Sequence, residues 1–318
     1  MRSADQSRSS SRRGASGAWN RLKPIRDDTL EAYSFPSKGE TRLNDFKTQE
    51  TFYNRIVDRY MKFCASTTTT SDLDACFAAL SISSTSLTPQ RAPAGPAKPA
   101  SASTSSRTTP SHSPGATPSP PQKNDLPLIL TALRKLREAI TATHRQDGFA
   151  LRAYTFNIHA ALLARDWESY LPALHYLLFT IHPRTPLSSP ELHEYVGYLI
   201  LDQACRQGDL MTAHESRVRY RYRDRRVEAV LRALIRDDWG TFWRMKRAVD
   251  GYQRRIMEFA EQRIRVHALK CLGRAYMTAD RSYVERVADR KWEDLVEDGV
   301  GWELAEGDRV VIRRLKGR

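Results

Sequence analysis

Trp239-Gly240-Thr241-Phe242-Trp243-Arg244-Met245-Lys246-Arg247 opens the stretch whose reading decides the fold. Its large rings Trp239, Phe242 and Trp243 stand at i, i+3 and i+4. That spacing makes one helix face, and such a face belongs more often to a core than to an exposed anchor, although Trp is enriched in interface hot spots. A long helix is predicted next, at 251–277. It carries Ile256, Ala260, Ile264, Ala268, Leu272 and Ala275 on one side and Arg254, Arg255, Arg263, Arg265 and Lys270 on the other. Shorter helices follow at about 281–289, with Tyr283, Val284 and Val287, and at about 291–298, with Trp292, Leu295 and Val296. Residues 301–304 and 309–313 then read as strands by their β-branched content, joined by a turn through Glu306-Gly307-Asp308.

Three helices followed by a hairpin is the order of a winged helix, expected over 251–318. Upstream, Asp125 can cap a helix and Pro127 sits in its first turn, where a missing N–H costs nothing. Leu126, Ile129, Leu130, Leu133, Leu136 and Ile140 share one face. Further helices are predicted at about 148–165, 167–181, 189–206, 209–222, 225–237 and 239–248. The breaks are Arg165-Asp166, His182-Pro183-Arg184-Thr185-Pro186 and Gln207-Gly208-Asp209. Each piece is too short to bury its apolar stripe alone, so 125–250 reads as a right-handed stack of helical hairpins, an all-α solenoid. No strict sequence period accompanies it.

The N-terminal part has a different texture. Residues 1–40 are rich in Ser, Arg and Gly and are expected to be a flexible basic arm. Arg2, Arg8, Arg12 and Arg13 among serines imitate a mitochondrial transit peptide, but Asp5 and the missing amphipathic face argue against one. Within 41–80 a helix is predicted at 43–65, capped near Asn44, with Phe46, Phe52, Tyr53, Ile56, Val57, Tyr60 and Phe63 at helical spacing. Residues 81–124 hold nine of the sixteen prolines and read as a disordered linker. Its Thr88-Pro89, Thr109-Pro110, Ser113-Pro114, Thr117-Pro118 and Ser119-Pro120 pairs suit proline-directed phosphorylation, a motif that such a composition also produces by chance.

At 318 residues, 40% hydrophobic and 28% charged, the chain can bury one or two cores once these stretches are set aside. Its 51 basic and 37 acidic residues give a net charge of +14, and residues 205–275 alone hold 18 basic and 9 acidic side chains. That excess attracts polyanions or acidic proteins without choosing between them. Cys64, Cys76, Cys205 and Cys271 form no Cys-x-x-Cys pair and are expected to be reduced, with Cys205 and Cys271 in the core. The longest apolar run, around 170–181, is interrupted by Pro172 and His175 and falls short of the ~20 residues that span a bilayer.

The sequence offers little to chemistry. It contains no Gly-x-x-x-x-Gly-Lys, no Gly-x-Gly-x-x-Gly, no Gly-x-Ser-x-Gly and no His-Glu-x-x-His. Its eight histidines are scattered, and Asp237 and Asp238 suit the end of a helix better than a catalytic pair. No enzyme, metal site or cofactor is expected. The binding candidate is Arg217-Val218-Arg219-Tyr220-Arg221-Tyr222-Arg223-Asp224-Arg225-Arg226. Arg217, Arg219, Arg221, Arg223, Arg225 and Arg226 can neutralise phosphates, while Tyr220 and Tyr222 can stack unpaired bases. The same run can equally be a solvated helix end whose Tyr rings pack on neighbours while Arg stems cover apolar surface. Arg309, Arg313, Arg314, Lys316 and Arg318 add charge at the hairpin and tail, where winged helices touch nucleic-acid backbones.

Helical stack then winged helix, in that order, resembles the PCI domain of scaffold subunits in the proteasome lid, the signalosome and translation initiation factor three. Trp239, Phe242, Trp243, Tyr252, Met257, Phe259, Arg263, Arg265, Ala268, Leu269, Lys270 and Tyr276 are similar to the pattern of its GANP/THP mRNA-processing and export branch. The likeness covers roughly 125–315. Asp289-Arg290-Lys291-Trp292 and Trp302-Glu303-Leu304 also look like the small proteasome-lid subunit and its relatives. The resemblance implies a non-catalytic scaffold subunit in the nucleus or cytoplasm, hetero-oligomeric with other PCI subunits. Trp302, Val310, Val311 and Ile312 would form the subunit interface, by edge-to-edge pairing of the hairpin. The export branch adds RNA as a partner; the lid-type alternative has no nucleic-acid role.

Overall fold

Seven of the described helices begin on an aspartate whose carboxylate accepts a backbone N–H two or three residues on: Asp45, Asp147, Asp166, Asp209, Asp224, Asp238 and Asp250. These caps set the rhythm of a computed structural model that describes residues 30–66 and 125–313. The first 29 residues of the expected arm, the 81–124 linker with its Ser/Thr-Pro pairs, Cys76, Arg314, Lys316 and Arg318 lie outside the described residues.

The described chain is mostly helical, with a small three-stranded sheet near its C-terminus. The helices are α1 (Phe46–Ser66), α2 (Asp125–Ala142), α3 (Gly148–Leu163), α4 (Trp167–Tyr176), α5 (Ser189–Leu201), α6 (Leu210–Arg219), α7 (Arg225–Arg236), α8 (Trp239–Ala248), α9 (Gly251–Ala275), α10 (Arg281–Ala288) and α11 (Trp292–Glu297). Wider π-helical turns at Leu177–Ile181 and Asp202–Gln207 extend α4 and α5. Most helices adjacent in sequence pack against each other, as short loops require, and α9 crosses α3, α5 and α8.

The N-terminal segment departs from expectation. Residues 30–40, read as part of a flexible arm, lie on α2: Leu30 is fully buried, its carbonyl accepts from the Lys135 ammonium at 3.4 Å, and Tyr33 meets the Phe52 ring edge-on at 5.0 Å. The half-buried Phe35 adds a second ring, 5.7 Å from the Lys135 ammonium. Asp45, not Asn44, caps α1, accepting the Thr48 N–H at 2.9 Å. Contacts of Gln49 with Thr143 and of Arg59 with Asp125 run α1 antiparallel to α2. Arg145 closes that end: its guanidinium is buried against the rings of Phe46 and Phe149 and paired with Glu50 at 2.5 Å and Asp147 at 2.9 Å.

Two hydrophobic cores share one helix. The larger runs from Leu30 to Ala260, and the smaller holds Ala268, Leu272, Ala279, Val284, Val287, Ala288, Trp292, Leu295 and Val310. The change of core therefore falls inside α9, between Ala260 and Ala268, not at the expected 250/251 boundary. Arg265 occupies this junction. It was expected on the solvent face, yet it is 6% exposed, donating to the Ala288 carbonyl at 2.9 Å with its guanidinium 5.7 Å from the Trp243 ring centroid.

The sheet contains a strand that the sequence did not announce. β1 (Thr278–Asp280) precedes β2 (Glu303–Ala305) and β3 (Arg309–Val311) in the order β1-β3-β2, both pairings antiparallel. Val310 lies opposite Ala279 on one side and Leu304 on the other. The hairpin turn takes positive φ at Gly307 (77°) and Asp308 (61°), residues that tolerate it. Three residues are too few to display an alternating pattern, which is why β1 went unread.

Candidate functional site

The arginine run folds as the end of α6, a turn, and the start of α7. Tyr220 caps α6 and is half buried, and Arg221 takes φ of 50°, a left-handed value unusual for a long side chain. The turn throws Tyr222 inward. Its ring stacks on His193 at 4.2 Å, and its hydroxyl oxygen lies 2.6 Å from where a Cβ on Gly197 would stand, so only glycine fits there. His193 Nε2 also contacts the Arg223 carbonyl at 3.1 Å, and the Asp224 carboxylate accepts from Arg226 and Val227 to start α7.

The two halves of the run therefore have different fates. Tyr222 is buried and cannot stack a base, while Tyr220 is half buried and packs against the larger core. Arg219, Arg221, Arg223, Arg225 and Arg226 are exposed. Arg219 lies 5.8 Å from both the Phe179 and Tyr220 ring centroids, and Arg217 pairs with Glu228 at 3.4 Å. A surface recess of about 540 Å³ is lined by Arg217, Arg221, Arg223 and Arg225 together with Asp224 and Glu228. Further along α7, Arg232 and Arg236 are exposed as well. The sequence reading stopped at Arg226 and missed them, although the helical spacing of seven and eleven residues from Arg225 was there to be seen.

The hairpin residues are placed differently from expectation. Val310 is fully buried in the smaller core, Val311 and Ile312 are half buried, and Trp302 covers Gly273 of α9. β3 is bonded along both edges, so the strand bearing Val310 and Val311 cannot add a further strand. β1 and β2 are the outer strands, and Leu304 on β2 is 44% exposed. Arg313 is a strut, donating to the Arg274 carbonyl at 2.8 Å.

Other singled-out groups resolve into structure. Phe242 and Trp243 are buried, whereas Trp239 is half buried and lines a recess of about 370 Å³ with Asp237, Arg263 and His267. Asp237 ends α7 in a left-handed conformation and Asp238 caps α8. Cys205 is fully buried and its thiol is pushed up to about 12 by burial. Cys271, expected in the core, is half buried, 3.6 Å from His267 Nε2 on an outer face of α9. His159 contacts Glu194 at 3.0 Å and stacks on Tyr252 at 4.4 Å, while Tyr198 donates to Glu194 at 2.6 Å. Among the described residues no group of three His, Cys, Asp or Glu is placed to hold a metal ion, and no helix is long and apolar enough to cross a membrane.

No family model matches this chain, and no curated protein is similar to it.

Proposed function

We propose that the chain is a non-catalytic scaffold subunit of the PCI type, an all-α solenoid leading into a winged helix, which assembles with other PCI subunits and contacts RNA. The observation that carries this reading is α9, one helix that closes the larger core and opens the smaller one. After it come β1, α10, α11, β2 and β3, with β3 between the other two. That order is the one a winged helix requires, and the residues resembling the PCI pattern cluster in α8 and α9. Binding surfaces of this kind need rigid presentation, which Arg265 and Trp243 supply at the junction.

The outer strand β2 with Leu304 and the flanking Trp302 is the docking edge of this proposal, with the arginine-rich turn facing RNA. Nucleus and cytoplasm are the compartments in which such a subunit works. The test is affinity purification of the tagged full-length protein from its own cells, with and without nuclease, followed by mass spectrometry. One PCI partner with nuclease-sensitive RNA-processing factors is the expected result. Nuclease-resistant lid, signalosome or initiation-factor subunits would keep the scaffold and remove the RNA, and the absence of any PCI subunit would overturn the proposal.

A further inference from the structure

About half of the described arginines outside 217–236 have a carboxylate within 4.0 Å, Arg145, Arg206, Arg247, Arg265 and Arg281 among them. The 217–236 region is different. Arg217 has Glu228 at 3.4 Å, but Arg219, Arg221, Arg223, Arg225, Arg226, Arg232 and Arg236 are exposed and, among the described residues, have no carboxylate within 4.0 Å. Arg225, Arg232 and Arg236 recur at i, i+7 and i+11, so they share one face of α7 over about 16 Å at 1.5 Å per residue. The position between them on that face is Ala229, too small to hold a ligand away.

At the start of α7 this arrangement opposes local stability, whereas Arg236, in the last turn, suits the helix dipole. Arg225 and Arg226 occupy the first turn of α7, where the positive end of the helix dipole disfavours cations, and Arg221 holds a left-handed backbone. Cations kept where the helix is weakened by them point to a ligand that supplies the missing negative charge. The stripe also lacks the aromatic anchor that a protein partner would use: Tyr222 is turned inward, and the exposed Ile235 lies about 100° round the helix from Arg236.

We infer that α7 and the turn before it hold the sugar–phosphate backbone of a nucleic acid without reading its bases, through Arg225, Arg232 and Arg236 with Arg221 and Arg223 at the helix entrance. The inference rests on the RNA contact proposed above and fixes its place and mode. Guanidinium forks match phosphate oxygens in pairs, and a row of them follows a repeating backbone. Within this stretch Tyr222 is buried and Tyr220 half buried, so bases lying along α7 have no ring of the run to stack on and binding there is indifferent to sequence.

The test is fluorescence anisotropy of the full-length protein over a salt series. The probes are two roughly 20-nucleotide single-stranded RNAs of equal composition and scrambled order, longer than typical site sizes of ~4–16 nucleotides, and a labelled polyglutamate peptide. Expected are affinities for the two RNAs within about threefold and a log–log salt slope of about −0.7 per phosphate engaged. Arg225→Gln/Arg232→Gln/Arg236→Gln should weaken both RNAs by about tenfold or more and flatten the slope by about 2. Arg55→Gln/Arg152→Gln/Arg184→Gln removes the same charge from exposed arginines elsewhere and should have little effect, with circular dichroism confirming that both variants fold. Equal losses in both variants would reduce the attraction to net charge and overturn the inference. RNA binding untouched by the stripe variant would overturn it while leaving an RNA contact elsewhere. A tenfold preference for one RNA would overturn the indifference to bases. Capture of polyglutamate with no RNA binding would remove the inference and the RNA contact of the proposed function together.

Discussion

The indole N–H of Trp243 donates to the carbonyl of Val287 at 2.9 Å, joining a helix of the larger core to a helix of the smaller one. Arg265 makes the parallel link one residue later in the chain, to Ala288, from beneath the same indole. Trp243→Phe keeps most of the ring but leaves a buried carbonyl without its donor. It should cost about 1–3 kcal/mol. Arg265→Met should cost a similar amount, and the double variant less than the sum, because both links serve one junction. Urea denaturation of the four proteins measures the coupling, and strict additivity would mean that the links act separately.

Gly197 and Tyr222 are matched by exclusion. A Cβ at 197 would stand 2.6 Å from the Tyr222 hydroxyl oxygen and 3.2 Å from Cζ, so Gly197→Ala must push the ring off His193. Overpacking of this kind costs ~1–3 kcal/mol. Adding Tyr222→Phe removes the closest atom and should recover part of the loss, seen as a higher melting temperature than Gly197→Ala alone. Equal melting temperatures would show that the backbone, not the ring, gives way.

Asp202 is a fully buried carboxylate that collects the Tyr170 hydroxyl at 2.5 Å, the Arg206 guanidinium at 2.7 Å and the Gln207 amide at 2.8 Å. The π-helical turn brings Arg206 and Gln207 onto the same carboxylate. Asp202→Ala strands three donors and should cost ~3–5 kcal/mol, the range for breaking a buried pair. Tyr170→Phe leaves the other two partners in place and should cost roughly 1–2 kcal/mol. The ranking is the prediction, and chemical denaturation of both variants decides it.

Glu194 ties acid stability to the α3–α5–α9 contact. The His159 hydrogen bond holds its carboxyl below the ordinary 4.5, helped by Tyr198 and opposed by partial burial. A depressed folded-state value means that the stabilisation is complete above 4.5 and disappears as the pH falls through the lower, folded value. Glu194→Gln should therefore flatten the low-pH limb of a plot of unfolding midpoint against pH while changing its neutral region less. A parallel downward shift at every pH would assign Glu194 a role in packing alone.

A central and an outer position of the sheet, Val310 on β3 and Leu304 on β2, should separate folding from assembly. Val310→Asp places a charge in the smaller core and should unfold it, whereas Leu304→Asp, on a side chain already 44% exposed, should stay within about ±0.5 kcal/mol in stability. Under the proposed function, Leu304→Asp loses the partner subunit in co-purification. Retention of the partner by this folded variant counts against β2 as the docking edge.

The helices were legible because their signals are local: aspartate caps, apolar residues three and four apart, and breaks such as Gln207-Gly208-Asp209. What escaped depends on residues distant in sequence. Tyr222 looks like a free ring until His193 and Gly197, on another helix, are brought beneath it. Arg265 reads as a solvent-facing cation until Trp243 and Ala288 enclose it. The segment 30–40 carries no helical or strand period that would predict its place, yet Leu30 is fully buried and its carbonyl meets Lys135 of α2. The site was half visible for the same reason. A run of arginines is read from composition, but which rings stay outside, and where α7 continues the row through Arg232 and Arg236, is a property of the folded surface.

The antiparallel contact of α1 with α2, through Gln49–Thr143 at one end and Arg59–Asp125 at the other, has a consequence for chain length. Helices so joined need only about 2–8 connecting residues, and here residues 67–124 fill that gap. Closing a loop costs entropy only logarithmically in its length, about 0.6 kcal/mol per doubling. A connection far shorter than the 58 residues of 67–124 could join α1 to α2 in this same antiparallel contact, so the packing of the two helices does not set the length of what lies between them.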